Sequence, residues 1–400
     1  MARATNILWI LTTQWRAQAT GYAGDRNVRT PAIDRLAASS ENFTQAVTPH
    51  PFGPFARAAM LTGVLSPQNG VAAYHDSLPP TTRTIAHDLN ERGYETLFFG
   101  KWHLAPRDPH AALVGEVHAK TIVPPENRGG FHFFEGFEGG FLLNDPWLHG
   151  TRLAVPQRFS GYQSDVLADR AGAFLAEKKN GGEKPWFAVV SLEAPHPPYA
   201  EPAGGVHAAE PATVELRDNV PRGGPVEAQA RRELAGYYAH IEATDRAIGR
   251  LLRKIDARNT VVVFTSVHGD MHGSHGLFRK GWPHEESVRV PLLVRHAGNE
   301  AMSDTVNGQP VSLVDLRAFT NACVEGRAEF PPREHSEISM PSVVALPHQC
   351  DRVWRGTRSP KQKTVLNADG SPWLAFDLEN DPLEKTNLAG RDAAPPASAG

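Results

Sequence analysis

Short apolar runs at residues 7–11, 96–99, 186–192, 261–265 and 291–294 are separated by stretches with helical periodicity. These runs are continuous rather than alternating, as in strands buried on both faces. Strands of that kind interleaved with helices predict an α/β fold with a mostly parallel central sheet and helices on both sides. Thr30 followed by Pro31 marks a helix start, with Ile33, Leu36 and Ala37 supplying its inward stripe. Residues 229–255 place Leu234, Tyr238, Ile241, Ile248, Leu251 and Leu252 at helical spacing and should form the longest helix. Residues 201–226, rich in Pro, Gly and Glu, read as a surface excursion. Beyond about residue 325, Pro-rich connectors and strand-like runs at 363–366 and 373–376 predict a small C-terminal sheet. The expected organisation is a main domain over 1–325, a small subdomain over 326–392 and a disordered tail over 393–400.

A chain of 400 residues, 40% of them hydrophobic, can bury one large core and a smaller annex. The net charge is -3 and no block of Lys or Arg stands out, which argues against nucleic-acid or membrane partners held by bulk charge. Any anion must therefore be bound locally. Cys323 and Cys350 read as reduced thiols rather than a disulfide framework. The apolar run near the N-terminus is too short for a signal peptide core or a membrane span, so the expected compartment is the cytoplasm.

Four motifs occur in a fixed order: Asn6-Ile-Leu-Trp-Ile-Leu-Thr-Thr-Gln14, residues 51–63 ending in Arg57-Ala-Ala-Met-Leu-Thr-Gly63, Phe98-Phe-Gly-Lys-Trp-His103, and Phe264-Thr-Ser-Val-His-Gly-Asp270 leading to Lys280. Pro195-His-Pro-Pro198, Asp145-Pro-Trp-Leu-His149, Glu285-Glu-Ser-Val-Arg-Val-Pro291 and Phe376-Asp-Leu-Glu-Asn-Asp-Pro382 accompany them. Over nearly its whole length the chain resembles the sulfatase family of the alkaline phosphatase superfamily, and within it the arylsulfatase and phosphonate-monoesterase-like branch. The resemblance implies an alkaline-phosphatase-like sheet with a small C-terminal α+β subdomain, and a pocket at the carboxyl ends of the strands.

The same resemblance implies a formylglycine nucleophile made from Cys or Ser in a Cys-x-Pro-x-Arg motif. Arg57 matches the motif's arginine, which puts the nucleophile at Gly53 and the motif's proline at Phe55. Covalent catalysis needs an attacking heteroatom, and glycine has none. The family's divalent cation would fall to Thr13, Gly53, Val267 and His268, where the branch carries an Asp, the nucleophile and an Asp-His or Asp-Asn pair. A hard cation needs six or more oxygens with negative charge. Gln14 and His268 are left as vestigial ligands, so calcium or magnesium is expected to be absent or weakly held.

The family's sulfate-facing shell does remain in Arg57, Lys101, His103, His196 and Lys280. In an active relative such groups stabilise charge on the ester oxygens or protonate the leaving group. Here they imply a pocket of uncompensated positive charge, aided by a helix starting near Pro54, for a sulfate, phosphate or carboxylate. Taken singly, each residue has a bland alternative as a solvated cation or a packing histidine. The expected protein is a pseudo-sulfatase binding a small anionic ligand or ester.

Two alternatives stay open. One is a non-catalytic partner of an active sulfatase, or a homo-oligomer, in which the surface matters more than the pocket. The other is a metal hydrolase rebuilt on His268, His272, His275 and His284, a cluster suited to zinc, copper or nickel, although 18 histidines in 400 residues also cluster by chance. Gly269, Gly273 and Gly276 in that loop read as turn glycines rather than a phosphate cradle.

Overall fold

The computed structural model describes residues 5–181, 184–299 and 305–390. The expected disordered tail at 393–400 lies outside them. Ten strands form the main sheet: β1 (Asn6–Thr12), β2 (Glu41–Val47), β3 (Glu95–Lys101), β4 (Phe133–Phe137), β5 (Trp147–Gly150), β6 (Gln157–Arg158), β7 (Trp186–Ser191), β8 (Thr260–Ser266), β9 (Leu292–Arg295) and β10 (Thr305–Ser312). Their spatial order is β10-β2-β9-β8-β1-β7-β3-β4-β5-β6. The central strands β8, β1, β7, β3 and β4 are mutually parallel, and every residue of β1, β7 and β8 is buried. Successive β1 residues feed opposite cores: Ile7, Trp9 and Leu11 pack on one side of the sheet, Leu8 and Ile10 on the other. Each such fully buried aliphatic side chain contributes roughly 1.5–3 kcal/mol.

The helices are α1 (Pro31–Ala38), α2 (Gly53–Thr62), α3 (Ile85–Glu91), α4 (Glu116–Ala119), α5 (Gln163–Gly181), α6 (Pro225–Lys254), α7 (Glu285–Val288) and α8 (Leu316–Val324). The longest, α6, begins a turn earlier than the 229 expected, because Pro225 can occupy the first helical turn after Gly224. α1 starts where Thr30 and Pro31 indicated, but its cap comes from elsewhere. Asp245 of α6 accepts hydrogen bonds from the amides of Ala32 and Ile33, the latter at 2.8 Å.

One strand departs from the sequence expectation. The run at 291–294 was expected in the parallel sheet, yet β9 pairs antiparallel with both β8 and β2. A parallel return needs a crossover that carries the chain back to the other edge of the sheet. Between β8 and β9 the only α-helix is the four-residue α7, so the chain stays at the carboxyl end of the sheet and the next strand runs back down. That long connection carries much of the site described below. The strand β10 gave little apolar signal because it lies at the sheet edge, with a register shift between Asn307 and Pro310.

The smaller sheet is an antiparallel meander of β11 (Ser336–Met340), β12 (Trp354–Arg358), β13 (Gln362–Asn367) and β14 (Pro372–Asp377). The last two strands contain the runs expected at 363–366 and 373–376. Among the described residues no α-helix follows Val324. Lys363 of β13 reaches the main domain through Glu285 of α7 at 2.8 Å, and Trp354 of β12 donates to the carbonyl of Gly281 at 2.8 Å. Cys323 and Cys350 are both buried and unpaired, as thiols. Among the described residues no helix is long and apolar enough to cross a membrane.

Candidate active site cleft

Four neighbouring parallel strands, β8, β1, β7 and β3, deliver their carboxyl ends to one place, the position where ligand clefts form in open α/β sheets. Thr13 follows β1, Lys101 ends β3 and precedes His103, His196 lies in the turn after β7, and His268 and Lys280 lie on the connection after β8. With Gly53 at the head of α2, all seven line a single cleft of about 590 Å³. Its deep end is made of buried polar groups: Lys101 is 1% exposed, His196 5% and Lys280 7%. Gln14, His103, Phe141 and Arg279, around the cleft, have φ values of 68°, 62°, 52° and 65°. Left-handed backbone at non-glycine residues persists where surrounding contacts hold it, and it clusters at functional sites.

Among the described residues no Ser or Cys lines the cleft, and Gly53 faces His103. A Cβ built on Gly53 would lie 3.0 Å from His103 Nδ1, a buried nitrogen without a hydrogen-bond partner. The one threonine is already engaged: Thr13 Oγ1 donates to the carbonyl of Leu192 at 3.1 Å and accepts from Arg57 at 3.0 Å. Arg57 itself does not line the cleft. It ties β1, β3 and β7 together through Thr13, the carbonyl of Lys101 and Ser191 Oγ at 2.7 Å.

The donor set at the family's cation position does not fit a hard divalent ion. Val267 is a fully buried apolar side chain, Gly53 offers nothing, and the Thr13 hydroxyl is committed. Gln14 is committed too, its amide donating to Asp270 and to the Tyr199 hydroxyl at 3.3 Å while its oxygen accepts from Lys280. His268 alone keeps a free atom. Its Nδ1 donates to the carbonyl of Gly269 at 2.9 Å, which leaves a buried, unpartnered Nε2 lone pair. One imidazole is far from the oxygen-rich shell that calcium or magnesium requires.

The histidine-rich loop does not gather into a metal centre. His268 faces the cleft, whereas His272 packs between Tyr199 and Tyr237 with ring centroids 5.0 and 4.2 Å away. His275 and His284 stack on each other at 4.5 Å. Gly273 and Gly276 take left-handed turns at φ 86° and 76°, and these swing consecutive histidines apart. Gly269 is a close-approach position, since a Cβ there would meet the carbonyl oxygen of Glu286. Among the described residues one other trio, His275, Glu286 and Glu384, brings ligand atoms within 4.8 Å of one another. Its carboxylates already have cationic partners in Arg217 and Lys363.

The expectation of uncompensated positive charge is overturned. Glu193, fully buried behind the cleft, pairs with Lys101 Nζ at 2.7 Å, and buried Glu138 lies 3.6 Å from Arg107. Burial pushes Lys101 down to about 8 against the opposing pull of Glu193, and pushes Glu138 up to about 7. Lys280 has no carboxylate within ion-pair distance among the described residues. It donates to Gln14 and to His196 Nε2 at 2.7 Å, and burial followed by Lys101 holds it well below the lysine range. Burial and nearby cations keep His103, His196 and His268 well below the usual histidine range. The floor is thus rich in donors, and the charge of Lys101 is offset by Glu193. Since Lys101 carries its proton below about pH 8, oxyanion affinity is expected to fall above that pH, by up to about tenfold per unit. Titration of phosphate binding between pH 6 and 10 checks this.

Sequence reasoning missed Glu193, Asp270 and Phe141. Glu193 sits between the end of β7 and Pro195, where an isolated carboxylate carries no motif. Asp270 closed a recognised motif; it accepts from Tyr199 at 2.6 Å, and His272, Arg279 and these hydrogen bonds outweigh burial to hold it well below the carboxylate range. Phe141 follows Gly139 and Gly140, stacks on His196 at 4.4 Å and lies 4.5 Å from Lys101 Nζ.

A mixed ten-stranded sheet with its cleft at the ends of the parallel strands, plus a small antiparallel sheet, is the alkaline-phosphatase-like architecture of sulfatases. The family model described as Sulfatase matches residues 5–320, and the chain belongs to the sulfatase family. An ulvan-active sulfatase of Formosa agariphila is 32% identical over 96% of this chain and 77% of its own. An arylsulfatase of Clostridium perfringens is 27% identical, covering 96% of this chain and 90% of its own. Among solved structures, a phosphonate monoester hydrolase of Agrobacterium radiobacter superposes with a TM-score of 0.71 at 20% identity, over 97% of this chain and 92% of its own. That likeness concerns the fold alone.

Proposed function

We propose that this sulfatase-family protein binds a sulfate- or phosphate-type ester in its cleft without hydrolysing it by the family's covalent route. The observation that carries the reading is the combination at the head of α2: no side chain at Gly53, no Ser or Cys lining the cleft among the described residues, and a committed Thr13 hydroxyl. The family's covalent route, through an oxygen or sulfur nucleophile at the head of α2, has no atom at Gly53 to start it. Binding has more support. The head of α2 has no side-chain cap and opens beside Lys101 and Lys280, so its amides can meet an anion. A ligand oxygen brought into the cleft would also favour the protonated forms of Lys280 and of His268, whose Nε2 lacks a partner.

Restoration of the centre tests this reading. In a host that makes formylglycine, Gly53→Cys alone is expected to give no aryl sulfate turnover. Its side chain would crowd His103, Phe55 still occupies the motif's proline position, and the cation donors remain wrong. Adding Thr13→Asp, Phe55→Pro and Val267→Asp supplies the missing parts. Proline is sterically admissible at residue 55, since it lies in the first turn of α2, where amides have no intrahelical acceptor. Turnover by the single variant would show that the centre needs less than this reading requires.

A further inference from the structure

We propose that the ligand's alcohol part is an apolar ring system rather than a sugar, an inference that rests on the ester-binding reading above. The cleft changes character along its depth. Its buried end is polar, but the approach to it runs past Leu113, Val114, Phe141, Pro198, Leu346 and Pro347. The charged rim pair Arg279 and Glu233 is closed on itself at 3.0 Å, leaving Arg232, His348 and Gln349 as the other polar rim groups. A sugar held here would lose water from its hydroxyls against walls that return few hydrogen bonds, whereas a flat apolar ring would lose nothing comparable.

Phe141 stands where the two regions meet. Its half-buried ring packs on His196 in a nearly parallel stack, 6° between planes, and so sets a flat surface directly beside the polar floor. An aromatic wall next to an anion subsite suits a ligand with a ring one bond from its charged group. The surface beyond the mouth is consistent with this. Val114, one of eight large hydrophobic side chains that are exposed among the described residues, lines the cleft itself.

Calorimetric titration of the full chain with 2-naphthyl sulfate, glucose 6-sulfate, inorganic sulfate and 2-naphthol tests the inference. The expected result is that 2-naphthyl sulfate binds at least about tenfold more tightly than glucose 6-sulfate. Phe141→Ala, and separately Leu346→Asn, should weaken 2-naphthyl sulfate by about tenfold, and Leu346→Asn should leave inorganic sulfate within about twofold. Glucose 6-sulfate binding as tightly as the naphthyl ester, or both variants leaving the naphthyl ester unaffected, would overturn the inference while the ester-binding reading stands. Equal binding of 2-naphthol and its sulfate, or binding of no ligand in the set, would overturn the ester-binding reading and this inference with it.

Discussion

Lys363→Met should cost about 3–5 kcal/mol of folding stability, the range for removing one partner of a buried ionic cluster. Lys363 Nζ is fully buried and contacts Glu384 at 2.6 Å, Glu285 at 2.8 Å and the carbonyl of Pro283 at 2.8 Å. Without it, two buried carboxylates lose the cation between them. Arg358 still holds Glu285 at 2.8 Å, but Glu384 keeps only the amide of Glu285. Glu384 is already pushed up to about 7 by burial, with Glu285 and Glu286 adding to the rise against Lys363. A carboxyl raised in the folded state contributes stability when protonated and loses it as pH rises through that value. The deficit in the variant should therefore be smaller at pH 5 than at pH 8. Urea denaturation at both pH values checks the size and the direction.

Glu193→Gln is expected to separate stability from binding. The substitution keeps the shape but takes the carboxylate from a buried pair in which Lys101 is 1% and Glu193 0% exposed. Leaving Lys101 unpaired should cost about 3 kcal/mol. Removing the carboxylate also removes the pull that raises Lys101. Phosphate affinity should therefore rise by about tenfold only near about pH 6, where Lys101 keeps its proton, and by less at about pH 8. Saturating phosphate should recover part of the lost stability by mass action. Thermal unfolding with and without phosphate reads both effects. Unchanged affinity would mean that Lys101 does not face the bound anion.

The sequence located the cleft because its parts sit at the ends of apolar strands, which a linear reading finds readily. Thr13, Lys101, His196 and Lys280 meet because β1, β3, β7 and β8 are neighbours in the parallel part of the sheet. The charge balance was hidden for the opposite reason. Glu193 belongs to no motif, and only the packing of β7 beside β3 brings it to Lys101. Likewise, the spacing of His268, His272, His275 and His284 suggested a cluster, but proximity along a loop with left-handed glycines is not proximity in space. The direction of β9 was illegible because a buried apolar run reads the same in either orientation. What decides it is the lack of a crossover between β8 and β9, a property of the connection and not of the strand.

We propose above that the cleft holds an ester without cleaving it by the family's covalent route. The most direct test of that proposal is turnover of aryl sulfate and aryl phosphate by the unaltered chain, with calcium, manganese or zinc added in turn. The account predicts product release no faster than the same metal gives without protein. Metal-dependent turnover that is abolished by His268→Ala would contradict it.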